Sequence, residues 1–247
     1  MTDLHIHSTL SPCGSLEMSP KRIVERAKIL GINFISITDH NAIKNSIPAR
    51  NLSKKYGMGY LYGMEVQTEE EIHILTYFDN YSELLNVWNM VYEKLPDIEN
   101  KPDYFGDQVI LDEEENIVGF EEKLLLNSSK ISLEDLCKIV QENNGIAIPA
   151  HIDSATYGII SQIGFVPHDS FFPFLEISCE HKEKKLIDEL SYLKNRKFVS
   201  FSDAHYVNEI GKCYTIFELE LPTIPELLMA SKDLNKRKVT DIARRQT

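Results

Sequence analysis

Long apolar runs are missing from this 247-residue chain, and cysteine is scarce. No segment approaches the roughly 20 consecutive apolar residues that a membrane-spanning helix needs. A secretory leader is not expected either, because a strand-like segment begins within a few residues of Met1. The four cysteines, Cys13, Cys137, Cys179 and Cys213, are far apart and include no C-x-x-C pair, which is typical of reduced cytosolic thiols. We therefore predict a cytoplasmic protein that has neither membrane segments nor a disulfide framework.

Positively charged residues are also few. The chain has 26 Lys and Arg residues but 38 Asp and Glu residues, so its formal net charge is -12. Strong non-specific binding to a nucleic-acid backbone is therefore not expected. The sequence contains no G-x-S-x-G, no P-loop and no G-x-G-x-x-G. Serine-hydrolase, nucleoside-triphosphatase and dinucleotide-binding interpretations thus have no motif to support them.

What is present is an alternation of short β-rich runs with longer amphipathic stretches. Strands are predicted over 2–6, 34–38, 60–63, 72–78, 145–149, 174–178, 198–202 and 215–221. Helices are predicted over 19–31, 42–56, 82–95, 132–143, 181–195 and 225–234. This alternation predicts a parallel sheet, and a length of 247 residues favours its closure into one α/β barrel.

Two segments depart from the alternation. Within 96–130, two apolar runs flank the acidic residues 112–116, which predicts a β-hairpin insertion on the barrel rim with a solvated tip. Residues 232–247 are rich in Lys and Arg and are expected to form a basic, frayed helical tail. The whole chain, 1–247, is predicted to be a single domain.

Histidine and carboxylate residues recur beside the predicted strand ends. They are His5 and His7, His40, Glu65, His73, His151, and Asp203 with His205. Side chains that follow the carboxyl ends of parallel strands converge on one face of a barrel, and imidazole with carboxylate is a ligand set for divalent metals. His73 begins its strand, so it reaches this face only if that strand returns antiparallel after Glu65. An isolated H-x-H is a weak signal, and the prediction depends on the complete set.

The ordered set H-x-H, T-D-H, G-x-E with a later histidine, A-H and S-D-A-H resembles the polymerase and histidinol phosphatase (PHP) superfamily of metal-dependent phosphoesterases. The resemblance implies a distorted seven-stranded (β/α) barrel and two or three divalent ions of zinc, manganese or iron. It implies one ion held by His5, His7, Glu65 and Asp203, a second by Glu65, His73 and His151, and a third by His40 and His205.

The chain departs from the family at one position. Members often have an acidic or histidine ligand in a segment like S-D-G, where this chain has Ser11-Pro12-Cys13-Gly14. Pro12 offers no ligand atom. Cys13 either binds the third ion as a thiolate or is an idle thiol in a turn, and the sequence leaves both interpretations open.

The resemblance implies a metal-dependent hydrolase that attacks a small phosphorylated substrate, a phosphomonoester or nucleotide-type phosphate, with a metal-activated water. The candidate catalytic residues are Asp39, Asp203 and His205. Asp39, next to His40 in the sequence, is expected to orient a ligand ring or to cap its loop.

Candidate substrate-binding residues are Lys44 and His168. The alternative interpretation of each is an ordinary solvated surface residue without a role in binding. Strand alternation does not determine whether Glu176 points toward the site.

Two other functions are compatible with the sequence. Metal-dependent amidohydrolases also begin with H-x-H on a barrel strand, but they typically add a bridging lysine or order their histidines differently. A non-catalytic PHP module that assists a partner is the second alternative. A decayed site is expected to have lost several ligands, whereas only the position of Pro12 departs here.

Overall fold

The computed structural model describes residues 1–167, 171–179 and 183–245. Within these ranges the chain is a mixed α/β structure. Its strands are Thr2–Asp3 (β1), Phe34–Ile35 (β2), Gly59–Tyr60 (β3), Tyr62–Gln67 (β4), His73–Phe78 (β5), Val109–Leu111 (β6), Ile117–Phe120 (β7), Ile146–Pro149 (β8), Leu175–Glu176 (β9), Phe198–Val199 (β10), Cys213–Glu218 (β11) and Lys238–Arg244 (β12). Its helices are Pro20–Ile29 (α1), Ser46–Lys55 (α2), Tyr81–Lys94 (α3), Pro102–Phe105 (α4), Leu133–Glu142 (α5), Ile159–Ile163 (α6), Glu183–Glu189 (α7) and Ile224–Ser231 (α8).

The strands form four sheets. The largest has the order β12-β11-β1-β2-β3, with β1, β2 and β3 parallel and with β11 and β12 antiparallel to their neighbours. A second sheet contains β4, β5 and β8, in which β5 is antiparallel to both others. Strands β9 and β10 are a parallel pair, and β6 and β7 are an antiparallel pair.

The described strands make several open sheets rather than the single closed sheet that a seven-stranded barrel requires. Strands β1, β2, β9 and β10 are only two residues long. Beyond them, single parallel bridges join Ile6 to Ala204 and His40 to Glu65. The ladders are short because the chain leaves the extended conformation where the predicted ligand residues begin.

An apolar core lies beneath these strand ends. It is built from buried side chains on or beside β1, β3, β5, β8, β9 and β10, among them Leu4, Leu61, Leu75, Ile148, Phe174, Val199 and Phe201. Burying one such large side chain contributes about 1.5–3 kcal/mol. Several of the predicted ligand residues follow one to three positions further along the same strands, so this core supports them.

The start and end of α1 agree with the sequence prediction. The Ser19 side chain accepts a hydrogen bond from the Arg22 N–H, and Pro20 occupies the first turn, where its missing N–H costs nothing. Gly31 ends this segment with φ +72°, a conformation that glycine adopts without strain.

The hairpin predicted within 96–130 is present as the antiparallel pair β6–β7. It lies against the loop after His7, because Val109 and Thr9 exchange two hydrogen bonds. It is also held by Asn45, which accepts a hydrogen bond from the Leu111 N–H.

The prediction of a helical C-terminal tail is wrong, because residues 238–244 form β12 and pair with β11. The β-branched residues of this segment fit a pleated sheet better than a helix.

The expectation of four reduced thiols is also wrong. Cys179 and Cys213 form a disulfide with their Cα atoms 5.6 Å apart, whereas neither Cys13 nor Cys137 takes part in one. The two cysteines are 34 positions apart, and only the tertiary fold brings them within bonding distance. None of the described helices is long and apolar enough to cross a membrane, and the cytoplasmic location stays a prediction.

Candidate metal centre

Side chains from several strand ends meet at one end of the sheets. His5 and His7 follow β1 and are completely buried. Glu65 lies on β4 and is 1% exposed. His73 begins β5 opposite Gln67 of β4, which confirms the antiparallel return that brings it to this face. The remaining ligand candidates, His40, His151, Asp203 and His205, follow β2, β8 and β10.

Glu65 is at the centre of the cluster, and imidazole nitrogens surround both of its carboxylate oxygens. Its Oε1 is 3.0 Å from His73 Nδ1, 3.3 Å from His5 Nε2 and 3.5 Å from His151 Nε2. Its Oε2 is 2.9 Å from His40 Nδ1 and 3.4 Å from His7 Nε2. Five histidines from four segments of the chain thus lie within 3.5 Å of one buried carboxylate.

Asp203 completes the cluster on its solvent-facing side. Its Oδ1 is 3.3 Å from His5 Nε2 and 3.2 Å from His7 Nε2, and its side chain is 42% exposed. The ring of His205 stacks on that of His7, and its Nδ1 lies 2.9 Å from the Asp203 carbonyl oxygen. If that nitrogen donates to the carbonyl, the lone pair of His205 Nε2 stays available for a metal.

The donor atoms are close enough together for metal binding. Three overlapping groups have all their ligand atoms within 4.8 Å of one another: His7, Cys13, His40 and His205; His5, His7 and Glu65; and His40, Glu65 and His73. Cys13 therefore lies with the histidines, at the place where the sequence left its role open.

The contacts around Glu65 fit divalent cations better than they fit hydrogen bonding. Both of its oxygens are buried, and neither receives a well-aligned hydrogen bond despite the five nearby nitrogens. A buried carboxylate without donors costs several kcal/mol unless a positive charge compensates it. Mixed imidazole and carboxylate ligands are those that zinc, iron and manganese accept.

Glu176 supports two members of the cluster. Its carboxylate is 2% exposed, and both of its oxygens are 3.1 Å from His5 Nδ1. It also accepts a hydrogen bond of 3.0 Å from the backbone N–H of His151. The His5 ring is thereby oriented with Nε2 toward Glu65 and Asp203, the arrangement that carboxylates commonly impose on metal-binding imidazoles.

Asp39 acts through serines rather than on a histidine ring directly. Its buried carboxylate accepts hydrogen bonds from Ser8 N–H at 2.7 Å, Ser8 Oγ at 2.6 Å and Ser11 Oγ at 2.7 Å. Ser11 Oγ in turn lies 3.1 Å from His7 Nδ1 and accepts from the His40 N–H at 3.2 Å. Asp39 thus fixes the loop after β1 beneath two of the ligand rings.

The backbone is left-handed at three of the turns into the site. Asn41, His151 and Asp203 have φ of +49°, +28° and +49°. Such conformations are uncommon for residues other than glycine and cluster at functional sites. At these turns the chain leaves the extended strands, which is why the sheets end there.

Charges inside the site shift the ionisation of its members. Burial disfavours the charged imidazole of His5, but the carboxylates of Glu176, Asp203 and Glu65 outweigh it and raise the pKa of His5 well above its usual value. Burial also opposes ionisation of Glu65, but His73, His5 and His40 lower its pKa well below the usual value. In the absence of metal, protons on histidines compensate the negative charge.

At the outer edge of the site the pKa shifts involve Cys13 and His205. Desolvation works to raise the pKa of Cys13, but His40 and a hydrogen bond with His205 lower it to about 7. Burial opposes the charged form of His205, but the hydrogen bond and the charge of Cys13 raise its pKa to about 9. These shifts favour a thiolate beside an imidazolium.

The ligand atoms open onto a cleft of about 450 Å³ whose lining includes His40, His73, His151, Asp203 and His205. Lys44 does not line it, because its ammonium group pairs with Glu121 at 2.6 Å. His168 lies outside the described residues.

Ser11 and Tyr157 touch the site although no sequence pattern indicated them, and the orientation of Glu176 was left open by the sequence. Ser11 and the orientation of Glu176 depend on contacts between distant segments, so no local pattern could reveal them. Tyr157 lines the cleft, and its ring stacks on His73 with the centroids 4.4 Å apart and the planes 2° from parallel. A lone tyrosine in a loop carries no sequence signal for such a position.

Comparison with solved structures places this geometry on a known fold. The lesion-specific endonuclease Q of Pyrococcus furiosus matches with a TM-score of 0.74 and 20% identity, over 99% of this chain and 58% of that protein. A structure described as a metal-dependent phosphoesterase from Bifidobacterium adolescentis matches with a TM-score of 0.56 and 16% identity, over 83% of this chain and 87% of the other. At these identities the likeness shows a shared fold.

Sequence comparison finds shorter matches. The 5'-3' exoribonuclease of Haemophilus influenzae is 38% identical over 76 residues, which are 30% of this chain and 27% of that protein. The matched segments span less than half the length of each of the curated relatives.

The sequence pattern of the PHP domain matches residues 3–163, and that of the PHP-associated segment matches residues 188–234. The ligand candidates from His5 to His151 fall in the first match, and Asp203 and His205 fall in the second. Because the PHP pattern covers well over half of its length, the chain belongs to the PHP domain family.

Proposed function

We propose that this chain is a metal-dependent phosphoesterase that hydrolyses a small phosphorylated substrate, a phosphomonoester or a nucleotide-type phosphate. The observation that carries the proposal is the buried carboxylate of Glu65, with five imidazole nitrogens within 3.5 Å, beside a 450 Å³ cleft. Membership of the PHP family and the fold shared with a metal-dependent phosphoesterase support it.

Two or three divalent ions would be held by the residues that the family resemblance identifies. The first ion would take His5, His7, Glu65 and Asp203, and the second would take Glu65, His73 and His151. The third would take His40 and His205, with Cys13 as a further ligand because its sulfur groups with their donor atoms. Bound there, divalent ions supply Lewis acidity: they lower the pKa of a coordinated water and neutralise phosphoryl charge.

The remaining chemistry belongs to the side chains. Asp203 is the most exposed of the histidine and carboxylate ligands, so its carboxylate can accept the proton that a water loses when it attacks phosphorus. Glu176 and Asp39 keep the rings of His5 and His7 in place, the latter through Ser11. The activity needs no covalent nucleophile from the protein.

The volume of the cleft and the net charge of the whole chain favour a small substrate. A cleft of 450 Å³ lies within the usual range for small-molecule pockets. The net charge of -12 disfavours long contacts with a nucleic-acid backbone.

Cleavage of a nucleic acid is a second candidate, because the exoribonuclease relative and endonuclease Q act on nucleic acids. Purified protein supplied with Mn²⁺ would be tested on phosphomonoesters, on 5'-phosphorylated oligonucleotides and on amide and lactone substrates. Phosphate release from monoesters supports the proposal. Cleavage of oligonucleotides alone favours the second candidate, and turnover of amides or lactones alone favours an amidohydrolase-like enzyme.

Replacing Glu65 with Gln should remove both metal and activity. Gln keeps the size of the side chain, but it is neutral and cannot compensate the charge of the two divalent ions that Glu65 would hold. Phosphate release should therefore fall roughly a thousandfold or more. Elemental analysis should find less Mn²⁺ per chain. Glu122→Gln is the matched control, since Glu122 is exposed and lies outside the cleft. Full metal content and activity in Glu65→Gln would contradict the assignment.

Cys13 should be detectable as a ligand by spectroscopy. A thiolate bound to Co²⁺ gives a ligand-to-metal charge-transfer band in the near ultraviolet that imidazole and carboxylate ligands do not give. The band should be present in the Co²⁺-loaded protein, absent from Cys13→Ala and retained in Cys137→Ala, which removes the other cysteine outside the disulfide. Identical spectra for all three proteins would show that Cys13 is not a ligand.

The stabilisation that metal provides should grow with pH. His5, His40, His151 and His205 have raised pKa values without metal, so their protonation stabilises the fold below about pH 6.5 and is lost as pH rises toward the raised values, about 9 for His205. Metal replaces those protons. The rise in Tm on adding Mn²⁺ should therefore be larger near pH 8.5 than near pH 6. A constant or shrinking rise would contradict this account.

A further inference from the structure

The cleft that faces the ligand cluster has an unusual distribution of charge for a site that binds an anion. Among the described residues that line it there is no lysine or arginine. Lys212 lines a neighbouring cavity of about 260 Å³, which also contains Glu209. Apart from the ligand cluster, the described residues of the lining offer hydroxyl groups, an amide, the leucine Leu126 and the aromatic ring of Tyr157. Binding energy for the part of a substrate beyond its phosphate must therefore come from neutral contacts.

Tyr157 provides the aromatic ring. One face of the ring is covered by His73, at 4.4 Å between centroids and 2° between planes. The residue is nevertheless 39% exposed and lines the cleft. Because His73 covers one face of the ring, a cleft ligand can meet the ring only at its edge or its opposite face.

The backbone holds Tyr157 in this position. Its φ is +60°, a left-handed conformation that is strained for an aromatic residue. Its carbonyl oxygen accepts a 3.0 Å hydrogen bond from the N–H of His73, the residue on which its ring stacks. The loop is tightly closed at Gly158, where an added Cβ would lie 2.5 Å from the Ser154 carbonyl oxygen. Tyr157 is thus tied to the ligand cluster through both its ring and its backbone.

We propose that Tyr157 is a stacking platform that makes this site select phosphate esters carrying a planar ring, such as a nucleobase. The proposal rests on the proposed phosphoesterase function, whose substrate it narrows. A planar ring would lie against the open face of Tyr157 and continue the stack begun by His73, while the phosphate meets the ligand cluster. Stacking on aromatic residues tolerates any base, because every base has a π-face.

The rim beside Tyr157 suits such a ring. Ser154 and Thr156 line the same cleft, and their hydroxyl groups can exchange hydrogen bonds with the polar edge of a base. Among the described residues that line the cleft, none outside the ligand cluster offers a counter-charge to a substrate with several phosphates in line. The geometry fits a mononucleotide or the terminal nucleotide of a short strand.

The test compares two probes that share a phosphorylated ribose and differ in the base: adenosine monophosphate and ribose 5-phosphate. Calorimetric titration of the protein loaded with Ca²⁺ in place of Mn²⁺ measures binding with the metal sites filled but without Mn²⁺-supported hydrolysis. Phosphate release with Mn²⁺ is measured in parallel. Tyr157→Phe keeps the ring, and Tyr157→Asn removes it with a residue that tolerates positive φ. Tyr56→Asn is the control, since Tyr56 precedes β3 at the opposite end of the parallel strands.

The unaltered protein and Tyr157→Phe should bind adenosine monophosphate more tightly than ribose 5-phosphate by roughly five- to a hundredfold. Tyr157→Asn should bring this ratio close to one, and Tyr56→Asn should keep the full ratio.

Equal binding of the two probes, no binding of adenosine monophosphate, or an equal loss for both probes in Tyr157→Asn would overturn the proposal. Release of phosphate from neither probe, with the binding preference intact, would instead count against the phosphoesterase function.

Discussion

The structure depends on how the charge of one buried carboxylate is compensated. Glu65 is 1% exposed and lies within 3.5 Å of five imidazole nitrogens that four chain segments bring together. Leaving such a charge uncompensated costs several kcal/mol. Protons on the histidines can supply the positive charge, and so can divalent cations, which also satisfy the imidazole lone pairs. Folding, protonation and metal binding are therefore linked at this one residue.

The surrounding fold maintains this arrangement at some local cost. Left-handed backbone at Asn41, His151 and Asp203 turns the chain inward at the strand ends, where it interrupts the sheets. Hydrogen bonds to the carboxylates of Glu176 and Asp39 then hold the ligand-bearing loops. The apolar core below the strand ends offsets the strain, since each large buried side chain contributes about 1.5–3 kcal/mol. The ligand geometry is thus imposed by the protein.

The parts of this arrangement that follow from local chemistry could be predicted from the sequence. His5, Glu65 and Asp203 were expected at one face because ligand residues after parallel strands converge there, and the caps of α1 follow from residue type and position. The Cys179–Cys213 pair could not be predicted, because it depends on which segments meet in three dimensions. The same is true of the orientation of Glu176. A closed barrel was expected from the length of the chain and from its alternation of strands with helices. Neither property shows where turns of the backbone interrupt the hydrogen bonding between strands.

Whether divalent cations share Glu65 can be tested by anomalous diffraction from crystals of the protein grown with Mn²⁺. At least two manganese peaks beside the Glu65 carboxylate are expected in the cleft. Manganese peaks only at surface carboxylates, with histidines alone around Glu65, would show that its charge is compensated by protons and not by cations.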